Sequence, residues 1–381
     1  MILFSYCSCE NIGEFIKISI LILLFRIIYF SLSNKITLKI FEKKRAIKSI
    51  KNIIQSSLNN NSFSFPFNDN PNMSIIIPLY NCQNTIKTTI ISVQKQNFNN
   101  FEIILINDNS QDNTSKIINE INVMDKRIKV INNKKNMGIL YSRSIGALNA
   151  KGKYILCLDN DDIFFDDNLF GQIFNISEIQ NYDIVEFKSF DVEKYYSGIK
   201  MREIKENYFN WHPEYSDNFY LTQPELGLFP IKRNDKYDTN DFHIWGKSIK
   251  TKIYQKAINL LKMKNFSFHN CWTEDISIIF IIFNIAQSFI FIGLYGIIHL
   301  DYNKSTSYSL HGSSKLMAEL YLLDIIINYI QNIDKNKKYV FQKLVSIFNS
   351  EQIQFLNINH IKYLQAIINK ILQIKNLNKY T

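Results

Sequence analysis

Cysteine is scarce and unpatterned in this chain: five residues, Cys7, Cys9, Cys82, Cys157 and Cys271, with no C-x-x-C pair. An odd, scattered set supports neither a structural zinc site nor a disulfide framework, and it fits a reducing compartment. Cys157 interrupts an apolar run and reads as a small buried hydrophobe. There is no G-x-G-x-x-G and no G-x-x-x-x-G-K-[ST], which removes support for a dinucleotide fingerprint or a Walker-type phosphate loop. No internal repeat is evident. No small-residue cleavage site follows the first apolar stretch, which argues against a cleaved signal peptide. Charge balance is lacking as well: 44 Lys and Arg stand against 34 Asp and Glu, a net +10. The excess is local. Lys35, Lys39, Lys43, Lys44, Arg45, Lys48 and Lys51 face only Glu42, and they follow a hydrophobic segment. A membrane surface suits that arrangement better than nucleic acid, because more than half of the excess sits beside an apolar segment.

What is present is a folded chain of 381 residues with 46% hydrophobic and 20% charged residues, long enough for one large domain or two modest ones. Phe15 to Leu32 reaches bilayer-spanning length, with Lys17 able to snorkel and Arg26 well inside. It reads as a single N-terminal anchor or a membrane-lying helix. The basic run after it predicts a catalytic part facing the cytosol, and a lumenal (Golgi or ER) arrangement would need the positive-inside rule to fail. Ile276 to Leu300 is a second apolar stretch, but Asn284, Gln287, Ser288, Gly293 and Gly296 punctuate it. It divides into a helix-like half and a β-like half and is expected to be a buried helix followed by a buried strand. The expected divisions are residues 1–55 (apolar helix and basic segment), a polar linker 56–72, a main domain 73–312 and a C-terminal helical extension 313–381.

From Met73 to Phe190 short apolar runs alternate with helix-like segments. MSIIIPL, FEIILIN, RIKVIN, KYILCLDND and YDIVEFKSF read as strands. Asn84–Gln96, Asp112–Met124, Gly138–Ala150 and about Asp166–Ser177 read as helices, the second opened by Ser110 or Asp112. This rhythm predicts an α/β fold: a doubly wound, mostly parallel sheet flanked by helices. Ligands bind beyond the carboxyl ends of the strands in such sheets. Tyr80, Asn81, Asp108 and the cluster Asp159-Asn160-Asp161-Asp162 all fall there. Three carboxylates in four positions repel, and a hard divalent cation bridging to phosphate would relieve them. A surface acidic loop leading into a helix is the plainer alternative.

SIIIPLYN from Ser74, NDNSQDNT from Asn107, NMGILYSRSIG from Asn136, LDNDD from Leu158 and TED from Thr273 occur in order. Together they resemble the family 2 glycosyltransferases, which have the GT-A fold, over Ser74 to about Leu300. The resemblance implies an inverting transfer of a sugar from a nucleotide-diphosphate donor, UDP-sugar by preference, to the hydroxyl of a glycan, lipid or protein acceptor. It implies that Pro78 and Tyr80 line the base and ribose pocket, that Asp108 bonds the base, and that Arg143 lies near the nucleotide. Asp159-Asn160-Asp161 matches the D-x-D signature, with Asp161 the ligand of Mg²⁺ or Mn²⁺ and Asp159 nearer the ribose or second to the metal. Glu274 and Asp275 match the acidic pair facing the acceptor, with Asp275 the general base; the plain alternative is that both simply suit a helix N-terminus. Trp245 and Lys247 match an acceptor-side Trp-x-Lys segment, and a buried structural Trp is the alternative. Asp162 reads as a helix-leading bystander and His243 carries no role. His299 lies where some relatives place another metal ligand, in a region (IHLDYNKSTS) that departs from the family pattern. That departure is the one feature leaning toward a nucleotide-sugar-binding protein without activity. Met201–Asp241 reads as a long loop forming the acceptor-side wall.

Overall fold

The computed structural model describes residues 69–195, 209–210, 219–222, 232–233, 236–237, 243–261 and 274–302. The apolar segment at 15–32, the basic run, most of the linker and the C-terminal extension lie outside the described residues. Among those described, no helix is long and apolar enough to cross a membrane.

The first half is the expected alternation. β1 (Met73–Leu79), α1 (Ile86–Gln94), β2 (Phe101–Asn107), α2 (Thr114–Met124), β3 (Ile128–Asn132), α3 (Ile139–Asn149) and β4 (Tyr154–Cys157) follow one another with short links. β1 and β2 are buried at every position, which is why their sequences are unbroken apolar runs rather than alternating ones. β1 pairs in parallel with β2 and β4, and β2 in parallel with β3. The chain therefore winds outward from β1 to β3, then crosses back to lay β4 on the other side of β1. That reversal leaves a crevice at the carboxyl ends of β1 and β4, the usual ligand position in such sheets.

The second half departs from a mostly parallel sheet. β5 (Ile163–Phe164), α4 (Leu169–Ile179), β6 (Ile184–Tyr195), β11 (Lys247–Lys250), α5 (Thr251–Leu260), α6 (Glu274–Ile285) and β12 (Ser288–Tyr302) complete the order β3-β2-β1-β4-β11-β6-β12-β5. β11 runs antiparallel to both β4 and β6, while β6 and β12 are parallel. The apolar stretch read as helix then strand is α6 followed by β12. The long segment from Met201 is not wholly a loop: β7 (Phe209–Asn210) pairs with β6 and β8 (Phe219–Thr222) with β12, while β9 (Lys232–Arg233) and β10 (Lys236–Tyr237) pair with each other.

Helix starts shift by a few residues from expectation. α2 begins at Thr114, because the Asp112 carboxylate accepts from the amides of Thr114 and Gln83 and so holds the turn before the helix. Partial burial works against ionising Asp112, but those hydrogen bonds win and keep its carboxyl below the ordinary value. α3 opens after Gly138, whose φ of +88° is one a side chain would strain. Its Gly146 lies on β1 and β2 so closely that a Cβ would come within 2.6 Å of Ile76 Cγ2 and 2.8 Å of Ile106 Cδ1.

Candidate active site

The crevice between β1 and β4 is walled by loops that lock to each other. After β1, Asn81 accepts from the Gln111 amide and donates its own amide to Ser110, while the Cys82 amide donates to Thr114 Oγ1. The loop after β1 is thereby zipped to the one after β2. Pro78, in β1, accepts through its carbonyl from Asn160 Nδ2 at 3.0 Å, and the Asn160 carbonyl accepts from Thr89 at the same distance. Asn160 thus pins the acidic cluster to the end of β1, with Tyr80 46% exposed beside it.

Asp108 is buried, and its carboxylate faces inward along the same wall. It accepts from Asn133 Nδ2 (2.7 Å) and from the amides of Met137 and Gly138 (2.8 Å each). In this structure the residue expected to bond a base fixes the loop that launches α3. That loop in turn sets the start of the helix carrying Arg143.

Arg143 is buried on α3 and its guanidinium spans two carboxylates from distant parts of the chain. Nη2 donates to Asp159 Oδ1 at 2.5 Å, and Nη1 donates to Asp275 Oδ1. The other Asp275 oxygen accepts the Ile244 amide at 3.2 Å. Asp275 lies in the first turn of α6, where a carboxylate is favoured by the helix dipole. Burial pushes its carboxyl up, Arg143 pulls it back, and nearby Asp159 adds to the rise. A carboxyl raised toward neutral pH is better matched to taking a proton from a hydroxyl. Glu274 precedes it on α6, and its side chain lies outside those described.

The acidic cluster divides in three. Asp159 faces Arg143. Asp161 is desolvated between its neighbours, and burial first, then Asp162 and Asp159, hold its carboxyl well above the ordinary range, with His299 opposing. Asp162 is fully buried, 2.9 and 3.2 Å from His299 Nδ1 through its two oxygens. This pairing follows from topology: β5 and β12 are antiparallel with Ile163 opposite Ile298, which sets Asp162 and His299 at adjoining positions. Asp162 is therefore not the bystander the sequence suggested. Nothing local could have revealed the pair, since its two members come together only when β12 joins β5.

Trp245 stacks on His243 (4.4 Å between centroids, 13° between planes) and on His299 (5.3 Å, 17°). Ring surface expected to meet a sugar is thus already in use by two imidazoles. Lys247 is turned inward: its buried ammonium lies 3.4 Å from buried Glu186 and donates to the His243 carbonyl at 2.9 Å. The structure gives it the task of holding the His243–Gly246 turn.

Among the described residues no three His, Cys, Asp or Glu side chains stand ready as a metal cage. A cation delivered with a diphosphate needs only one or two carboxylates and keeps phosphate and water as its other ligands. The crowded oxygens of Asp161 and Asp159 suit that role, because a hard cation would offset the burial and the carboxylate repulsion that together disfavour the charged form of Asp161.

Residues 74–256 match the family model described as glycosyl transferase family 2. A protein of Haemophilus influenzae described as an uncharacterized glycosyltransferase is 44% identical over 93 residues, 24% of this chain and 29% of that protein. The Escherichia coli protein named UDP-Glc:alpha-D-GlcNAc-diphosphoundecaprenol beta-1,3-glucosyltransferase WfaP is 42% identical over 101 residues, 26% of this chain and 39% of that one. The chain thus spans less than half the length of these curated relatives. Among solved structures, that of S. aureus TarS 1-349 in complex with UDP-GlcNAc is similar with a TM-score of 0.54 at 16% identity, covering 78% of this chain and 81% of the other. At that identity the likeness is one of fold.

Proposed function

We propose, from the premise that residues 74–256 are a glycosyl transferase family 2 domain, that this chain moves a sugar from a nucleotide-diphosphate donor to an acceptor hydroxyl with inversion. The observation that carries the reading is the convergence of Asp159, Arg143 and Asp275 at the carboxyl ends of the strands. A donor-side carboxylate and a raised, helix-leading carboxylate share one guanidinium there. Asp275 is the general base: one of its oxygens would take the proton of the acceptor hydroxyl as that oxygen attacks the sugar carbon. A single base on the face away from the departing diphosphate gives inversion. Asp161, with Asp159, would hold Mg²⁺ or Mn²⁺. Such a cation, when bound, supplies neutralising charge to the diphosphate as it leaves.

A UDP-sugar is the preferred donor. In support, WfaP carries UDP-Glc in its name and the TarS structure holds UDP-GlcNAc. WfaP is also named for a lipid-linked diphosphate acceptor. A membrane-bound acceptor would suit the apolar and basic segment at 15–51, proposed here as an N-terminal membrane attachment with the catalytic domain on the cytosolic side.

A panel of UDP- and GDP-sugars, scored for nucleotide release with and without Mn²⁺, tests the reading. The expected result is Mn²⁺-dependent release from one UDP-sugar, lost in Asp275→Asn while UDP still binds. UDP binding by the unaltered chain with no hydrolysis or transfer of any sugar would instead point to a nucleotide-sugar-binding protein without activity. Full turnover by Asp275→Asn would remove Asp275 as the base.

A further inference from the structure

We infer that Arg143 is a positioning residue that couples the two halves of the site: the guanidinium that holds Asp159 on the donor side also sets the orientation and charge of Asp275 on the acceptor side. The inference rests on the reading of Asp275 as the base and adds to it a link that the base needs.

The geometry assigns the arms of Arg143 to different carboxylates rather than to one. Nη2 goes to Asp159, which follows β4, and Nη1 to Asp275, which opens α6. A planar guanidinium with donors in a fixed fork can span two acceptors in this way, and a lysine, as a point charge, cannot. Arg143 has little freedom to do otherwise. It is 2% exposed, three residues from Gly146, where α3 touches the sheet.

Arg143 is the largest influence favouring the charged form of Asp275, ahead of the Ile244 amide and of Lys247 on β11. Lys247 is also paired with Glu186 at 3.4 Å. Cys157 on β4 and Tyr254 on α5 face the same region; burial pushes the Cys157 thiol up to about 12 and the Tyr254 phenol well up, so both stay neutral at physiological pH. Asp159 adds a like charge. With one Asp275 oxygen on Arg143 and the other on the Ile244 amide, the carboxylate is fixed in position as well as in charge. A cation arriving at Asp159 would compete with Arg143 for that carboxylate and so change what Arg143 gives to Asp275. The state of the donor site is thereby transmitted to the base across a single side chain.

The test compares the full chain with Arg143→Gln, Arg143→Lys and Asp275→Asn. Turnover is followed against pH, and UDP affinity is measured by calorimetry. Removing an opposite charge at hydrogen-bond distance should move the acidic limb of the pH profile upward by about one unit or more. UDP affinity should stay within about threefold, well under the tenfold step that a lost direct contact gives. Lysine should not restore the profile. A fall in rate that is uniform over pH, with the limb unmoved, would reduce Arg143 to a structural residue. A UDP affinity weakened about tenfold or more with the limb unmoved would make it a nucleotide contact instead. Thermal midpoints read the same coupling without turnover, should the Arg143 variants be inactive. At pH 7 to 8 Asp275→Asn should raise the midpoint of the unaltered chain modestly and that of Arg143→Gln by clearly more, and equal shifts in both would overturn the coupling. Absence of UDP binding by the unaltered chain, by contrast, would sink the proposed function itself.

Discussion

At the scale of single residues, Asp275 and Asp161 share one physical condition, a carboxyl that burial makes reluctant to ionise. For Asp275 as the proposed base this fixes the sign of a pH effect. Asp275 must be ionised to accept a proton, so turnover should rise with pH through its elevated pKa, with an acidic limb above the ordinary aspartate value of 3.8. A limb at or below that value would show that another group is the base. For Asp161 the effect falls on stability. A raised folded-state pKa gives a contribution that is fully present below 3.8 and lost as pH rises through the folded value. Asp161→Asn, neutral throughout, should therefore raise the thermal midpoint at pH 7 to 8 and leave it nearly unchanged below pH 4. Adding Mn²⁺ with UDP should raise the midpoint of the unaltered chain and not that of Asp161→Asn. Equal Mn²⁺ responses in the two would remove Asp161 as a ligand. The acidic positions were legible because motif order placed them. The direction of Lys247 was not, since its partner Glu186 lies on another strand and the register Lys247↔Glu186 exists only in the assembled sheet.

At the scale of elements, α3 does more for the site than its modest sequence suggests. It is launched by a loop held on Asp108, lies close on β1 and β2 at Gly146, and delivers Arg143 to the crevice. Gly146→Ala tests that close approach. Alanine favours a helix by about 1 kcal/mol over glycine, but overpacking a tight contact costs about 1 to 3 kcal/mol. With Ile76 Cγ2 at 2.6 Å and Ile106 Cδ1 at 2.8 Å, the clash should win. The expected outcome is a lowered midpoint in denaturant with turnover reduced, as Arg143 shifts with its helix. A higher midpoint would show that α3 can lift off the sheet freely. The strands β1, β2 and β4 could be read from unbroken apolar runs, and β3 from the shorter, half-buried IKVIN. The antiparallel insertion of β11 could not, because KSIK looks like the start of the helix that follows it.

At the scale of the molecule, the candidate site lies where the winding reverses, between β1 and β4, and Asp275 joins Asp159 there from chain more than a hundred residues later. The N-terminal segment belongs to this scale too. Deleting residues 1–55 should release the chain from membranes into the soluble fraction, with UDP affinity unchanged. Continued sedimentation with membranes would place the attachment elsewhere. By itself the sequence determined the α/β winding of the first half and the edge on which polar residues gather, and it offered Asp159, Asp161 and Asp275 as candidates. Those follow from local apolar runs and from motifs a few residues long. Only the tertiary structure decided that Arg143 joins Asp159 to Asp275, that Asp162 belongs to His299, that Trp245 rests on two imidazoles, and that Lys247 turns inward. Each of these depends on register and on distances between elements far apart in the chain. Such distances are set by how helices and strands pack, and no local run of residues encodes them.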